Sequence, residues 1–354
     1  MREIKYNEAI NEALKICMKR DKSVIVMGLG VDDPKRIFGT TNDLEKISKF
    51  KRMFDMPTAE NSNTGIAIGL AISGIKPIIT HQRVEFSLLA MEQIINQAAK
   101  WSYMSAGLMH VPLVIRLIIG KGWGQGPQHS QSLESLFANI PGLKVVSPSS
   151  AYDAKGLLIA SIEDKNPIIF FEHRWLHETS SFVPKKYYKI ALGKAKILQR
   201  GKDITIVSNS FMTVEVLKAK NILHQMDINP EIIDLRSIRP LDKRLIINSV
   251  KKTGRLLVID NGWQTCGVSA EIISVVSESI FYELKSKPMR IGIIDTPIPS
   301  TRSLSKYCYP SYKEIVENIM KILKINKKKF NKNIKSNFFT KFDDIPNDEF
   351  SGPF

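Results

Sequence analysis

Short apolar runs alternate with longer segments of helical period through most of the chain, and that alternation limits the fold more than any single motif does. Runs at 24–27, 75–80, 111–119, 143–147 and 167–172 read as buried strands. Helical segments are expected before and between them, at 7–20, 64–73, 86–103, 132–137 and 150–162. Strands separated by helical crossovers pair in parallel, so the first half predicts a mainly parallel sheet with helices on both faces. The pattern lapses at 178–192, where prolines and lysines gather, and then restarts. Strands are expected at 204–208, 231–235, 256–260 and 289–294, with helices at 213–225, 242–252, 268–278 and 312–323. The fold class is therefore α/β, in two domains at 1–185 and 192–323, each a mainly parallel sheet flanked by helices. No sequence repeat relates the halves. A tail at 324–354 carries lysine, asparagine and six phenylalanines, more aromatic residue than a solvated tail needs, and reads as an arm that packs on a partner chain.

The formal net charge is +16, a value that raises nucleic acid as a partner. Its distribution argues against one. The tail holds seven lysines against four acids, and the remaining +13 is spread without a dense basic block. No nucleic-acid partner is expected. The N-terminus lacks an apolar leader core, and the longest apolar run, VPLVIRLIIG, is interrupted by Arg116, so a soluble, cytoplasmic chain with no membrane partner is expected. Cys17, Cys266 and Cys308 lie far apart without zinc-ligand spacing.

Three places carry candidate chemistry. In the stretch 54–78 Pro57 holds Met56 extended, Ser62 or Asn63 is positioned to cap a helix, and Gly65, Gly69 and Gly74 leave room for a ligand or another backbone. Glu60 stands at the mouth of that helix; taken alone, a carboxylate there needs no role beyond the helix dipole. Gly28-Leu29-Gly30 follows the first strand, but the third glycine of a dinucleotide fingerprint is Asp33, so no Rossmann site is expected. After the strand at 111–119 four glycines alternate through a flexible rim ending at His129, just before the helix at 132–137.

The stretches DMPTAENSNTGIAIGLAISGIKPI, FSLLAMEQIINQAAKWSYMSAG, GPQHSQSLESLFANIPGLKVVSPSSAYDAKGLLIASIEDKNPIIFFEH and IIDLRSIRPLD occur in that order. Over roughly residues 5 to 323 the chain thereby resembles the beta subunits of thiamine-diphosphate-dependent 2-oxoacid dehydrogenases. The resemblance implies a transketolase-like pyrimidine-binding domain followed by a transketolase C-terminal-like domain. It implies that Glu60 hydrogen-bonds the aminopyrimidine of thiamine diphosphate, that Phe86 stacks on that ring, and that His129 lies at the thiazolium end. Asp164 and Asn166 match positions that hold a monovalent cation, potassium, in some relatives. The chain lacks the GDG motif that binds magnesium, so magnesium and the diphosphate are expected mainly on an alpha subunit, in an assembly of two alpha and two beta chains. The implied activity is oxidative decarboxylation of a 2-oxoacid with transfer of the acyl group to a lipoyl acyltransferase. Alternatives are a carboligating or acetoin-cleaving enzyme subunit, and a non-catalytic scaffold of the same fold. Many relatives have an apolar and acidic run before the aromatic, where this chain reads Thr80-His81-Gln82-Arg83-Val84-Glu85. His81 or Arg83 is therefore expected to meet an anionic or hydroxylated part of the substrate, or Arg83 to pair with a carboxylate of another subunit.

Overall fold

The computed structural model describes residues 2–48, 51–325 and Ile345, so the expected partner-packing arm lies almost wholly outside the described residues. The first half begins β1 (Arg2–Lys5), α1 (Tyr6–Arg20), β2 (Val24–Gly28), α2 (Glu45–Ser48), β3 (Met53–Asp55), α3 (Glu60–Ile72) and β4 (Lys76–His81). It continues α4 (Trp101–Met104), β5 (Val114–Ile119), α5 (Gly126–His129), α6 (Glu134–Ala138), β6 (Lys144–Val146), α7 (Ala151–Ile162), β7 (Ile168–His173) and β8 (Ser180–Val183). The second half runs β9 (Lys196–Gln199), β10 (Ile204–Ser208), α8 (Ser210–Gln225), β11 (Pro230–Asp234), β12 (Ser237–Arg239), α9 (Lys243–Thr253) and β13 (Leu256–Trp263). It closes with α10 (Val268–Ile280), β14 (Met289–Ile293), α11 (Arg302–Ser305) and α12 (Tyr312–Leu323).

Two parallel-dominated sheets result. The first has the order β12-β6-β7-β5-β4-β2-β3, and only β12 runs antiparallel; the second has the order β14-β13-β10-β11-β9, with β9 antiparallel. Strands β2, β5 and β7 are buried at every residue, as a sheet covered on both faces requires. Helices α1 and α7 pack together on one face, and Tyr6, Ile10, Leu14, Leu157 and Leu158 are withdrawn from solvent there. Arg116, which interrupts the longest apolar run, lies fully buried in β5. Its Nη2 donates to Glu172 Oε2 at 2.9 Å and to Thr40 Oγ1 at 2.9 Å. Burial alone raises the Glu172 carboxyl; the guanidinium overrides it and holds that group down to about 2.

Several elements differ from expectation. The segment 178–192 contains β8, which pairs antiparallel with β1, and β12 crosses from the second half to the edge of the first sheet beside β6. Strands of three or four residues such as β1 and β12 carry too few side chains for a periodic signal. The single helix expected at 86–103 is instead a 3-10 segment at Val84–Ala90, a π-helical segment at Gln93–Ala98 and the one-turn α4. Ile94 and Ala98 of its expected apolar face are buried, whereas Leu89 is 64% exposed.

Candidate active site

The site gathers at the carboxyl ends of the parallel strands, where the loops after β2, β3 and β4 converge. The Asp55 carboxylate accepts hydrogen bonds from Gly30 N at 2.6 Å and Val31 N at 3.2 Å, which ties β3 to the turn after β2. Asn63 Nδ2 donates back to Pro57 O at 2.7 Å. The segment 55–59 is thereby held extended and delivers Glu60 as the first residue of α3. Ala59 takes the N-cap position, so neither Ser62 nor Asn63 caps the helix as expected; both lie inside it. Gly28 is indispensable to this geometry. Its φ is +141°, and a Cβ there would meet Thr80 O at 2.5 Å. Gly28 thus serves the close approach of β2 to β4.

Glu60, Asn63, Leu29, Ile79, His81 and Phe86 line one cleft. Among the described residues the Glu60 carboxylate has no hydrogen-bond or ion-pair partner, while most other carboxylates of this region are engaged. His81 lies in that cleft and not beside Arg83. It is 5% exposed, burial lowers its imidazole to about 4, and its Nε2 stands 3.4 Å from Thr64 Oγ1. Burial thus favours the uncharged ring, which can hydrogen-bond a hydroxylated group without offering a positive charge.

Arg83 lines a second pocket, with Phe38, Glu85, Gln125, His129 and Arg174. His129 closes the single turn α5, where Pro127 fixes the first residues, and its Nδ1 makes a short hydrogen bond to Glu85 Oε1. Its ring meets Phe86 edge to face, with centroids 6.0 Å apart. With its amide oxygen toward the guanidinium, Gln125 accepts from Arg83 Nη1 at 3.0 Å and donates to His129 O at 2.8 Å. Gln82 lines both spaces. Glu60, Phe86 and His129 are thus brought together as expected. Glu85, Gln125 and Arg174 were not singled out from sequence. For Glu85 the signal was its position beside Phe86 in the divergent run; for Arg174 it was its place directly after a parallel strand.

The glycine loop that ends at His129 is docked on the second half instead of forming a free rim. Gly122 N donates to Tyr309 Oη at 3.2 Å, and the Lys121 ammonium stands 4.7 Å from the Trp175 ring, 4.9 Å from Phe211 and 4.7 Å from Tyr309. Burial lowers that ammonium to about 8. Further along, Glu134 is 2% exposed and neither of its oxygens has a hydrogen-bond partner. Burial, reinforced by the Asp260 carboxylate, pushes Glu134 up from 4.5 to about 8. A folded-state value above the unfolded one means the native chain holds the extra proton, so this group's contribution to stability falls as pH rises from about 4.5 to about 8. The stability of Glu134→Gln relative to the parent is expected to rise across that window, by on the order of 4 kcal/mol at its upper end. Urea melts of both proteins at pH 5 and pH 8 check this; a constant difference refutes it.

Asp164 and Asn166, the expected cation ligands, bond to one another and to Lys144. Asp164 Oδ2 accepts from Lys144 Nζ at 2.5 Å, while Asp164 Oδ1 accepts from Asn166 N and Nδ2, each at 2.9 Å. Burial raises the Asp164 carboxyl less than these bonds lower it. The ammonium of Lys144 supplies the positive charge there. Among the described residues no three His, Cys, Asp or Glu side chains are grouped to hold a metal, and no helix is long and apolar enough to cross a membrane.

Residues 2–178 match the family model of the transketolase pyrimidine binding domain, and residues 193–315 that of the transketolase C-terminal domain. The pyruvate dehydrogenase E1 component subunit beta of Acholeplasma laidlawii is 39% identical over 318 residues, covering 90% of this chain and 97% of that one. The acetoin:2,6-dichlorophenolindophenol oxidoreductase subunit beta of Cupriavidus necator is 38% identical over 332 residues, covering 91% and 98%. A solved split gene transketolase, an inactive beta4 tetramer, superposes with a TM-score of 0.74 at 22% identity, covering 91% of this chain and 99% of that one, and shares the fold. The chain belongs to the transketolase-like family of beta subunits that includes those of the pyruvate dehydrogenase E1 component and the acetoin oxidoreductase.

Proposed function

We propose that this chain is the beta subunit of a thiamine-diphosphate-dependent 2-oxoacid dehydrogenase and that an alpha subunit completes its active site. The observation that carries the reading is the Glu60 carboxylate, without a partner among the described residues, in one narrow cleft with Phe86. That donor set fits a flat heteroaromatic ring: one charged acceptor for a ring nitrogen, one aromatic face, and the apolar side chains of Leu29 and Ile79. When bound, thiamine diphosphate supplies the nucleophilic carbon and the electron sink for decarboxylation.

The chain's own residues then have separable tasks. Glu60 hydrogen-bonds the far nitrogen of the aminopyrimidine and sets its tautomer. Phe86 stacks on the ring, and Leu29 and Ile79 keep water from the carboxylate, which strengthens that bond in the low dielectric. Glu85 takes the Nδ1 hydrogen bond of His129, so Nε2 is the atom that accepts or donates a proton at the acyl end of the site. The diphosphate and its magnesium are assigned to the alpha subunit, because the cleft offers a single carboxylate at its ring end. An assembly of two alpha and two beta chains and a lipoyl acyltransferase as acyl acceptor complete the proposal.

A second reading, cleavage of acetoin, is supported by the Cupriavidus necator relative, which is as similar as the pyruvate dehydrogenase subunits. The test is product analysis with a redox dye on the assembled complex. Carbon dioxide released from a panel of 2-oxo acids supports the first reading; acetaldehyde from acetoin without carbon dioxide replaces it with the second.

A further inference from the structure

We propose that the groove between β9 and α9 binds an organic polyphosphate, a ligand with the size and charge of a nucleoside triphosphate. The inference does not depend on the reaction proposed above. The groove is open and measures about 500 Å³, a volume that takes a small organic ligand. Lys194, Arg200, Arg244 and Lys252 line it together with two carboxylates, Glu231 and Asp242. Both acids are already engaged. Glu231 is 1% exposed, accepts from Ser249 Oγ at 2.6 Å and from Gly201 N at 3.3 Å, and pairs with Lys252. Asp242 accepts from Ala195 N at 3.2 Å and Leu245 N at 3.3 Å. Lys194, Arg200 and Arg244, by contrast, have no hydrogen-bond or ion-pair partner among the described residues.

These three cations stand on pinned backbone. Gly193, just before Lys194, has a φ of +77°, donates to Ser237 Oγ at 3.0 Å and lies so close to Pro240 that a Cβ would meet its Cγ at 2.8 Å. Gly201, just after Arg200, lies against Pro230, whose carbonyl carbon a Cβ would meet at 2.2 Å. Arg244 belongs to the first turn of α9, which Asp242 caps. Like charges gathered on one concave surface repel, and a multiply charged anion relieves that repulsion without a backbone rearrangement. Lys194 and Arg200 are six positions apart on extended chain, at most about 20 Å between Cα atoms, so a single compact anion does not serve both. A row of phosphates does, and guanidinium forks match phosphate oxygens. The apolar side chains of Ala195, Ile197 and Leu245 give the groove a surface for a flat organic body, and Asn248 adds an amide donor and acceptor.

The test is titration calorimetry on the full-length chain at about 0.1 M salt, without magnesium, using ATP, tripolyphosphate and adenosine as probes. ATP is expected to bind with a Kd below about 0.1 mM, tripolyphosphate about tenfold more weakly, and adenosine not detectably at about 1 mM. Arg200→Gln combined with Arg244→Gln is expected to weaken ATP at least about tenfold, since each substitution removes a charged contact. Neither side chain has a partner to lose, so the fold should be untouched; Lys194→Gln, expected to weaken ATP about threefold, serves as a second variant. Lys22→Gln combined with Lys287→Gln removes the same charge elsewhere on the surface and should leave ATP within about twofold of wild type. No ATP binding to wild type overturns the inference. So does an equal loss in both double variants, which marks a general charge effect, or binding of hexaglutamate but not of ATP, which marks an acidic protein segment as the occupant.

Discussion

Glu60→Gln is expected to lower turnover of the assembled complex by at least about a hundredfold, the usual cost of removing one preorganised hydrogen-bonding group aimed at the reacting system. The fold should not suffer. The amide has the shape of the carboxylate, the position faces a cleft, and no partner within the described residues is lost, so the melting temperature is expected to move by no more than about 2 °C. What changes is the acceptor offered to a ring nitrogen: an anionic oxygen becomes a neutral amide that cannot hold the ring in the same tautomer. Steady-state turnover alongside thermal melts checks both statements. A variant that turns over within a few-fold of wild type reduces Glu60 to a residue interacting with the dipole of α3.

The second large effect concerns the isolated chain, which is expected to bind thiamine diphosphate and magnesium negligibly and to show no turnover. Magnesium requires near-octahedral oxygen ligands set closely together. The sequence has no GDG, and among the described residues no group of three acidic, histidine or cysteine side chains is placed to supply such ligands. On the proposed reading the cleft around Glu60 and Phe86 holds the pyrimidine end of the cofactor. Mixing with an alpha subunit that carries the missing motif should restore both binding and activity. Titration calorimetry decides the matter: stoichiometric, magnesium-dependent binding by the chain alone contradicts the divided site.

Much of this architecture can be read from the residues because long apolar runs announce strands buried on both faces. Ile204–Ser208 and Tyr312–Leu323 fall where periodicity places them, and Asp242 caps α9 through a bond to Leu245 N at 3.3 Å. Sequence fails where tertiary contacts overrule local pattern. The residues at 86–103 have a good helical period, yet the segment tightens to a 3-10 coil at its start, where Glu85 is engaged by His129 from 44 positions away and Ser87 Oγ bonds Val84 O at 2.6 Å. The same limit applies to the site. Glu60, Phe86 and His129 stand out through a resemblance spanning the whole motif, whereas Arg174 offers only its place directly after a strand, and its approach to Arg83 depends on how the strands lie in the sheet. His81 shows the converse: its identity leaves its charge open, and only its burial favours the uncharged ring.

The passage of β12 into the first sheet has a consequence for how the molecule can be divided. Ser237 and Arg239 pair with Val146 and Val145, Arg239 Nη1 reaches back to Ala138 O at 2.7 Å, and the next residue but two, Asp242, already caps a helix of the second half. A cut between the halves, however well placed in the intervening chain, strips the outer edge of β6 and exposes a row of unpaired amide and carbonyl groups. Such an edge recruits whatever strand it meets. The two sheets are therefore stitched by a shared hem, and a fragment ending before residue 237 inherits a surface for uncontrolled association in place of a partner.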